Sequence, residues 1–316
     1  MKLPLRRPAA LLAASVATLA VALPSTALAK PHAKEFPLEQ FAVPADITSG
    51  PDGALYAPDG SLGRLWRITT KGKVSYQEVG SGPAGVATGR DGALWVTDRS
   101  LDQVIRVTTK GTQTPYQLPE PGSFPTDIVA GSDGALWFIE ARGDRIGRIT
   151  TKGVLTEYPI SAGAGAAEIA ADPDGALWFT EAGGNAIGRI TTTGVVTEYP
   201  LATPEALPGP IVAGRDGGIY FAERNTNTLV RMSTGGVVTR STPLPEGSDP
   251  LALTFTCRGL AIAEGFAFRV DFARHDGSLR RPVATKSSPS ALTIGPDGDL
   301  WYASDSFAAV GRIDLG

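Results

Sequence analysis

The sequence predicts an all-β fold, a seven-bladed β-propeller made of four-stranded antiparallel blades. Two observations support this. A segment like DGALWFIE, residues 133–140, returns seven times, and successive copies are about forty residues apart. A repeat of that length with several short strands is typical of one propeller blade. The acid that closes the segment recurs at spacings of 39, 42, 41, 42, 41 and 41 residues, at Asp59, Asp98, Glu140, Glu181, Glu223, Glu264 and Asp305.

Each repeat contains the signals for four strands. In the third repeat, residues 125–130 form a short apolar run, and the Asp133-Gly134 pair predicts a tight turn because glycine accepts a positive φ without steric cost. Residues 135–140 are rich in aromatic and β-branched types, which favour the second strand. Residues 145–150 and 155–160 supply the third and fourth strands. The second turn holds residue types that tolerate the left-handed region, at Asp102, Asp144, Asn185 and Asn227.

The repeated acid is followed eight residues later by an arginine in five repeats, as in Glu140 and Arg148. We expect these residues to face each other across the second and third strands, as ion pairs contributing about 0.2–1 kcal/mol each. The acids would then be structural and would not form a catalytic ring. The predicted pairs are Asp59–Arg67, Asp98–Arg106, Glu140–Arg148, Glu181–Arg189 and Glu223–Arg231.

Aromatic residues occupy one equivalent position on the second strand of six repeats, and we expect them to pack between adjacent blades. They are Tyr56, Trp95, Trp137, Trp178, Tyr220 and Trp301. The lone cysteine, Cys257, excludes an intrachain disulfide, and we expect its thiol to be packed in the interior.

Ring closure is also visible in the sequence. The last repeat ends at its third strand, residues 311–314, whereas residues 35–38 (EFPL) copy the fourth-strand pattern of residues 157–160 (EYPI). We therefore predict that the N-terminal strand completes the final blade and removes an exposed sheet edge. Deleting residues 34–40 should destabilise the whole ring.

The N-terminus has the features of an export signal. Residues 1–29 contain a basic start, an apolar stretch and a small-x-small cleavage site. The apolar stretch has about fifteen residues, which is too short to span a membrane. We expect a secreted or periplasmic protein, one propeller domain over residues 30–316, with no membrane insertion after cleavage. The net charge of −3, with both signs interspersed, argues against nucleic-acid binding, and we expect a monomer.

Three phrases resemble the blades of the virginiamycin B lyase family of seven-bladed propellers: residues 176–181 (ALWFTE), 185–191 (NAIGRIT) and 197–201 (TEYPL). The resemblance covers residues 35–316. It implies opening of a cyclic depsipeptide by elimination at its ester, with Mg²⁺ and with histidines and a glutamate near the central channel.

The resemblance also places those catalytic residues in a Pro-His-x-Ile pattern in the sixth and seventh blades. Here Leu251 and Ser290 stand at the histidine positions and Ser288 at the glutamate position, while Asp305 matches a further metal-associated acid. Neither leucine nor an unassisted serine can supply the proton-transferring base that elimination requires. The two histidines of the chain, His32 and His275, fall outside the expected channel.

Innermost strands line a propeller channel, and their third positions here are Asp46, Gly85, Asp127, Glu168, Pro210, Ala252 and Ala291. The carboxylates of Asp46, Asp127 and Glu168 could converge near one mouth and hold Mg²⁺ or Ca²⁺, which favour oxygen ligands. Equally, they could accept backbone amides. No cofactor is required by the sequence.

Three functions remain open. The first is an exported binding propeller for a small-molecule or cell-envelope ligand, catalytically silent, using Asp46, Asp127, Glu168 and Asp305 as channel candidates. The second is a diverged carbon–oxygen lyase, or a lactonase-like hydrolase acting on a cyclic ester with a divalent cation. The third is a structural or interaction module within a larger assembly.

Overall fold

The chain folds into a ring of seven four-stranded antiparallel sheets, which confirms the predicted fold class and blade number. The computed structural model describes residues 32–316, so the expected export signal at residues 1–29 lies outside the described residues. Within residues 32–316 there is no helix with the length and apolar character needed to span a membrane.

The first four blades follow each other along the chain. Blade 1 consists of β2 (Thr48–Ser49), β3 (Ala54–Asp59), β4 (Arg64–Thr69) and β5 (Val74–Glu78). Blade 2 consists of β6 (Pro83–Thr88), β7 (Leu94–Asp98), β8 (Gln103–Val107) and β9 (Gln113–Gln117). Blade 3 consists of β10 (Pro125–Ala130), β11 (Leu136–Glu140), β12 (Arg145–Ile149) and β13 (Leu155–Pro159). Blade 4 consists of β14 (Ala166–Ala171), β15 (Leu177–Glu181), β16 (Ala186–Ile190) and β17 (Val196–Pro200).

The last three blades complete the ring. Blade 5 consists of β18 (Pro208–Ala213), β19 (Gly218–Glu223), β20 (Thr228–Ser233) and β21 (Val238–Pro243). Blade 6 consists of β22 (Pro250–Thr256), β23 (Gly259–Glu264), β24 (Arg269–Ala273) and β25 (Val283–Ala284). Blade 7 consists of β26 (Pro289–Ile294), β27 (Leu300–Ser304), β28 (Ala309–Ile313) and β1 (Ala33–Pro37).

The two ends of the described chain meet in blade 7, as predicted. Strand β1 pairs antiparallel with β28, with Glu35 opposite Gly311 and Phe36 opposite Val310. The Phe36 ring stacks on Trp301 at 5.4 Å between centroids. The first strand of each blade contacts the first strand of the next, and β26 contacts β2, so the ring closes around a central channel.

The hydrophobic core lies between neighbouring blades. The six predicted aromatics on the second strands are buried, with exposures of 0 to 6%. Trp137 of blade 3, for example, packs in one cluster with Leu177 and Phe179 of blade 4. The predicted role of these aromatics as wedges between blades is therefore confirmed. The left-handed turn residues are confirmed as well, with φ of 48°, 46°, 50° and 53° at Asp102, Asp144, Asn185 and Asn227.

The predicted pairing between the repeated acids and the arginines eight residues later is wrong. In blade 3 the register sets Arg148 opposite Trp137, while Glu140 lies opposite Arg145. Arg148 instead binds Asp133 of the Asp-Gly turn at 2.7 Å. Asp133 also accepts the Trp137 Nε1–H at 3.2 Å. The residue opposite Glu140 is five positions later in the chain, so an arginine eight positions later lies three residues farther along β12 and is out of register with the acid.

The pair of turn aspartate and third-strand arginine recurs in six blades. In five of them the same aspartate also accepts a hydrogen bond from the second-strand aromatic, whereas in blade 4 Trp178 donates to Asp172. The turn aspartates bind the arginines at 2.6 to 3.4 Å, in the pairs Asp52–Arg67, Asp91–Arg106, Asp133–Arg148, Asp174–Arg189, Asp216–Arg231 and Asp297–Arg312. Blade 6 lacks all three members, because Cys257, Ala261 and Phe272 occupy the three positions.

The six repeated acids from Asp59 to Glu264 are buried, and three of them, Asp59, Asp98 and Glu264, accept backbone amides. Asp98 accepts the amides of Ser81 and Gly82 at 2.8 and 3.0 Å, in the loop that leads into its own blade. The seventh member of the series is Ser304, not Asp305, because Ser304 holds the strand position three residues after Trp301. Asp305 follows in the exposed β27–β28 turn.

Candidate functional site

The central channel is shaped by irregularities in the innermost strands. In six blades the first strand shifts register against the second after its opening residue, as between Pro125 and Ile128 of β10. That opening residue is a proline in five of them and Ala166 in blade 4. Such bulges re-aim side chains, and here they turn residues such as Asp127 and Glu168 toward the channel. The free amide of the bulge is satisfied by a second-strand threonine, since Glu168 N–H donates to Thr180 Oγ1 at 3.2 Å.

The channel is a cavity of about 360 Å³ with a polar and an apolar side. Six of the seven predicted third positions line it, all except Pro210. The polar side is formed by Asp46, Asp127 and Glu168, and the apolar side by Leu251, Ala252, Leu253, Ala291 and Leu292. The structure thus brings the three predicted carboxylates into one cavity.

Each of the three carboxylates accepts a backbone amide from the next blade. Asp46 Oδ2 accepts the Val86 amide at 2.8 Å, and Asp127 Oδ2 accepts the Ile169 amide at 2.8 Å. Glu168 accepts the amide of Ile211 in blade 5. Each side chain therefore connects the innermost strand of its own blade to that of the following blade. Of the two roles expected for these carboxylates, a cation site or the binding of backbone amides, the structure shows the second.

Their protonation is set by burial and by mutual repulsion. Burial raises the pKa of Asp46, and it raises that of Asp127, where the charge of Asp46 contributes further. Burial raises the pKa of Glu168 to about 8, and the charge of Asp127 adds to the effect. The side chains are only half-buried, because the channel reaches them. Because their pKa values are raised, the carboxyl groups of Asp127 and Glu168 can hold protons near neutral pH.

In the described part of the chain, no three histidine, cysteine, aspartate or glutamate side chains form a group able to hold a metal ion. Asp46, Asp127 and Glu168 share a cavity without forming such a group. Their oxygens face backbone amides, which donate hydrogen bonds that a cation would have to replace.

The positions at which the resemblance places histidines, Leu251 and Ser290, lie at the apolar side of the cavity. Leu251 and Ser290 line the channel from blades 6 and 7. Ser290 Oγ donates to the Ala303 carbonyl at 3.3 Å, so its hydroxyl is engaged with the backbone. Leu251 and Ser288 both approach Gly265, where an added Cβ would meet the leucine Cδ1 at 2.5 Å and the serine Oγ at 3.3 Å. Leu251 and Ser288 thus lie on the same side of the channel, next to Gly265.

Arg99 is a channel residue that the sequence reasoning missed. It lines the cavity from the turn after β7, directly following the buried acid Asp98, and its guanidinium lies 5.8 Å from the Phe124 ring. Its position directly after the repeated acid Asp98 is the feature of the sequence that could have identified it. Asp305, in contrast, is exposed on its turn and is not among the residues that line the channel.

The remaining candidate groups lie away from the channel. His32 is exposed, and the His275 side chain is 79% exposed on the β24–β25 turn. The prediction that Cys257 is packed in the interior is wrong, because its thiol is exposed. Cys257 occupies the turn position that is an aspartate in other blades, and turn positions face solvent.

Seven four-stranded blades around a channel define this protein as a seven-bladed β-propeller. A model of the Virginiamycin B lyase family matches residues 25–265, and the chain belongs to this family. A search of curated proteins returns no match.

Solved structures give the same result. A streptogramin B lyase structure is 30% identical with a TM-score of 0.84, covering 90% of this chain and 98% of that one. A catalytically inactive histidine-to-alanine variant of virginiamycin B lyase from Staphylococcus aureus, with Quinupristin, is 30% identical with a TM-score of 0.84 and covers 91% of this chain and 100% of that one. A putative gluconolactonase, at 16% identity and a TM-score of 0.58, shares the fold.

Proposed function

We propose that this chain is an exported, ligand-binding member of the family that does not catalyse the family's elimination. The observation that carries the proposal is the lining of the channel by Leu251 and Ser290, at the two positions where the family resemblance places histidines. Leucine has no proton to transfer. The serine hydroxyl donates to a backbone carbonyl, and within residues 32–316 it has no hydrogen bond to a carboxylate or histidine that could activate it.

The ligand we infer has one polar and one apolar face. Arg99 and the raised-pKa carboxylates of Asp127 and Glu168 offer donors on one side of the cavity, while Ala252 and Leu253 offer apolar surface on the other. Ligand pockets commonly combine an apolar wall with a few polar groups that set orientation. A cyclic depsipeptide has both kinds of surface, and a cell-envelope molecule with the same amphipathic character is the second source of such a ligand.

The test uses quinupristin with Mg²⁺, followed by mass spectrometry and isothermal titration calorimetry. We expect saturable binding and no linearised product, with virginiamycin B lyase from Staphylococcus aureus as the positive control for turnover. Ala252→Arg should abolish binding, because it places a charge on the apolar wall. Val154→Arg, on an exposed outer turn, is the matched control and should bind normally. Turnover at enzyme-like rates would overturn the proposal, and an absence of binding would exclude the depsipeptide class.

One observation favours a second function, a diverged carbon–oxygen lyase or lactonase-like hydrolase. Asp127 and Glu168 have raised pKa values inside the channel, and carboxyls that titrate near neutrality can act as general acids or bases. As they stand, Asp46, Asp127 and Glu168 do not form a group able to hold a metal ion, so binding of Mg²⁺ or Ca²⁺ would require these side chains to give up their amide donors and move together. Thermal shift with Ca²⁺, Mg²⁺ and EDTA tests the cation, and a shift lost in Asp127→Ala would support it.

A further inference from the structure

Four of the seven blade junctions are closed by the same stack of aromatic rings. A fourth-strand aromatic lies on the second-strand tryptophan of its own blade at 5.4 to 5.6 Å, with ring planes within 21° of parallel. The pairs are Tyr116–Trp95, Tyr158–Trp137, Tyr199–Trp178 and Phe36–Trp301.

Each of these fourth-strand rings also rests on the next blade, against the glycine of its outer turn. An added Cβ on those glycines would lie 2.0 to 2.2 Å from the ring, at Gly153 under Tyr116, Gly194 under Tyr158, Gly236 under Tyr199 and Gly72 under Phe36. The aromatic therefore seals the junction between its own sheet and the following one.

The junction between blades 5 and 6 lacks this ring. Thr242 precedes Pro243 and lies opposite Leu229 in the register, as Tyr158 precedes Pro159 and lies opposite Ile146 in blade 3. Gly277 keeps its place on the outer turn of blade 6, with the Thr242 hydroxyl beside it. A threonine is much smaller than a tyrosine, so the volume of a phenol ring is left unfilled.

A cavity of about 290 Å³ lies at this junction. Its floor is apolar and largely buried, formed by Tyr220, Leu229, Leu260 and Ala273. Phe255 stands edge-on to Tyr220 at 5.2 Å and forms one wall. Cys257 and the exposed His275 lie at the opening, on the turns that end the first and third strands of blade 6. The opening is thus at the face of the ring opposite the channel carboxylates.

The rim of the cavity is basic. Arg231, Arg240 and Arg274 all line it. Arg231 is bound by Asp216 at 2.9 Å. Arg240 donates to the His275 carbonyl and Arg274 to Ser278 Oγ, and neither forms an ion pair with a carboxylate among residues 32–316. Two guanidinium groups therefore remain able to pair with an anion from outside the chain.

We propose that this junction is a second binding site, which accepts a small aromatic carboxylate. The aromatic ring would occupy the space that Tyr158 and Tyr199 fill in their own junctions, and would stack on Tyr220. The carboxylate would point to the opening and pair with Arg240 and Arg274. The site is separate from the channel, and it does not depend on the function proposed for the channel.

The probe is 4-hydroxyphenylacetate, which combines a tyrosine-like phenol with a carboxylate. Its binding is measured by calorimetry and by the rate at which Cys257, the single cysteine of the chain, is alkylated. We expect saturable binding that slows the alkylation. The neutral alcohol 2-(4-hydroxyphenyl)ethanol should bind roughly tenfold more weakly, because it loses the charge-assisted hydrogen bonds. Cyclohexylacetate should also bind more weakly, because it cannot stack.

Two variants decide the site. Thr242→Tyr restores the ring found at the other junctions, so the protein should fold, melt at a higher temperature and no longer bind the probe or show probe-dependent alkylation. Arg240→Gln should keep the aromatic preference and weaken the preference for the carboxylate, and the double variant Arg240→Gln, Arg274→Gln should lose that preference. The proposal is overturned if no saturable binding occurs in the millimolar range, if Thr242→Tyr binds as well as the wild type, or if cyclohexylacetate binds equally.

Discussion

Glu181 on β15 lies directly opposite Ala186 on β16, so the strand register places a methyl group beside a buried carboxyl. In the preceding blade the same position pairs Glu140 with Arg145, whose Nε lies 3.2 Å from the carboxylate. Burial raises the pKa of Glu181 to about 7, and the charge of Glu198 contributes further. Two adjacent blades thus hold the same acid in different electrostatic environments.

The stability of the ring should fall with rising pH because of Glu181. Its folded-state pKa is above the usual 4.5, so the folded protein keeps a proton that the unfolded chain releases. This contribution is complete below about pH 4.5 and is lost as the pH rises through about 7. Glu181→Gln should therefore stabilise the protein at pH 8 by about 1–3 kcal/mol, with little gain at low pH. Urea unfolding across this range measures the difference.

The matched control for that experiment is Glu140→Gln. This variant leaves Arg145 without its nearest carboxylate, so it should destabilise the protein at pH 8 by about 1–2 kcal/mol. Parallel pH profiles for the wild type and Glu181→Gln would contradict the assignment of the titration to Glu181.

Glu35 should be a main stabilising residue of the ring closure. Its Oε1 accepts the amides of Lys286 and Ser287 at 2.9 Å and the Tyr302 hydroxyl at 2.7 Å. Glu35→Ala should lower the free energy of unfolding by about 2–4 kcal/mol, since several donors lose their acceptor together. Glu39→Ala, which breaks an ion pair with a 55% exposed carboxylate, should change it by less than about 1 kcal/mol. Equal melting temperatures for the two variants would refute the prediction, as would an unchanged melting temperature after deletion of residues 34–40.

The turn aspartate that binds a second-strand aromatic and a third-strand arginine, a group called the triad below, should stabilise the fold more than an ordinary turn residue does. Asp133 accepts hydrogen bonds from Trp137 and Ala135 and pairs with Arg148. Asp133→Ala should cost about 2–3 kcal/mol in thermal or urea unfolding, because a buried indole N–H loses its acceptor. Asp276 accepts hydrogen bonds only from Ser278 on an exposed turn, so Asp276→Ala should cost about 1 kcal/mol or less. A cost for Asp133→Ala no larger than this control would reject the triad as a stabilising unit.

Gly188 should not tolerate a side chain. Phe179, its partner across the β15–β16 pair, covers it so closely that an added Cβ would lie 2.1 Å from the ring. Gly188→Ala should destabilise the protein by about 1–3 kcal/mol, since the ring must move within a packed interface. Gly235 has only the Ser233 hydroxyl nearby, at 3.8 Å, so Gly235→Ala should be neutral or slightly stabilising in the same melting assay. Similar effects of the two substitutions would show that the ring yields without cost.

Blade number, strand order and ring closure were predictable because they depend on patterns that repeat along the chain. The Asp-Gly turns, the aromatic four residues later and the copied fourth-strand signature at residues 35–38 are all local. The carboxylate partners of the arginines were not predictable from the spacing of eight, because which residues face each other across two strands depends on the turn length and the register. The network could have been found from the fixed interval of fifteen residues between Asp133 and Arg148, which recurs in other blades.

The site was predictable in part. The third positions of the innermost strands identified Asp46, Asp127 and Glu168 as channel residues, and the family resemblance identified Leu251 and Ser290. The amide partners of the carboxylates lie in the following blade, forty or more residues away, so no local pattern records them. Arg99 was missed because it enters the channel from a turn.

The sequence by itself determined the architecture, because seven similar four-stranded units bury their apolar faces against each other, and the copied strand at residues 35–38 closes the stack into a ring. The tertiary structure alone decided what lies between the units. Whether a buried glutamate meets an arginine or an alanine, and whether a junction holds a tyrosine or a cavity, depends on side chains contributed by two different blades. Those contacts follow from how the sheets stack, and a period along the chain carries no information about them.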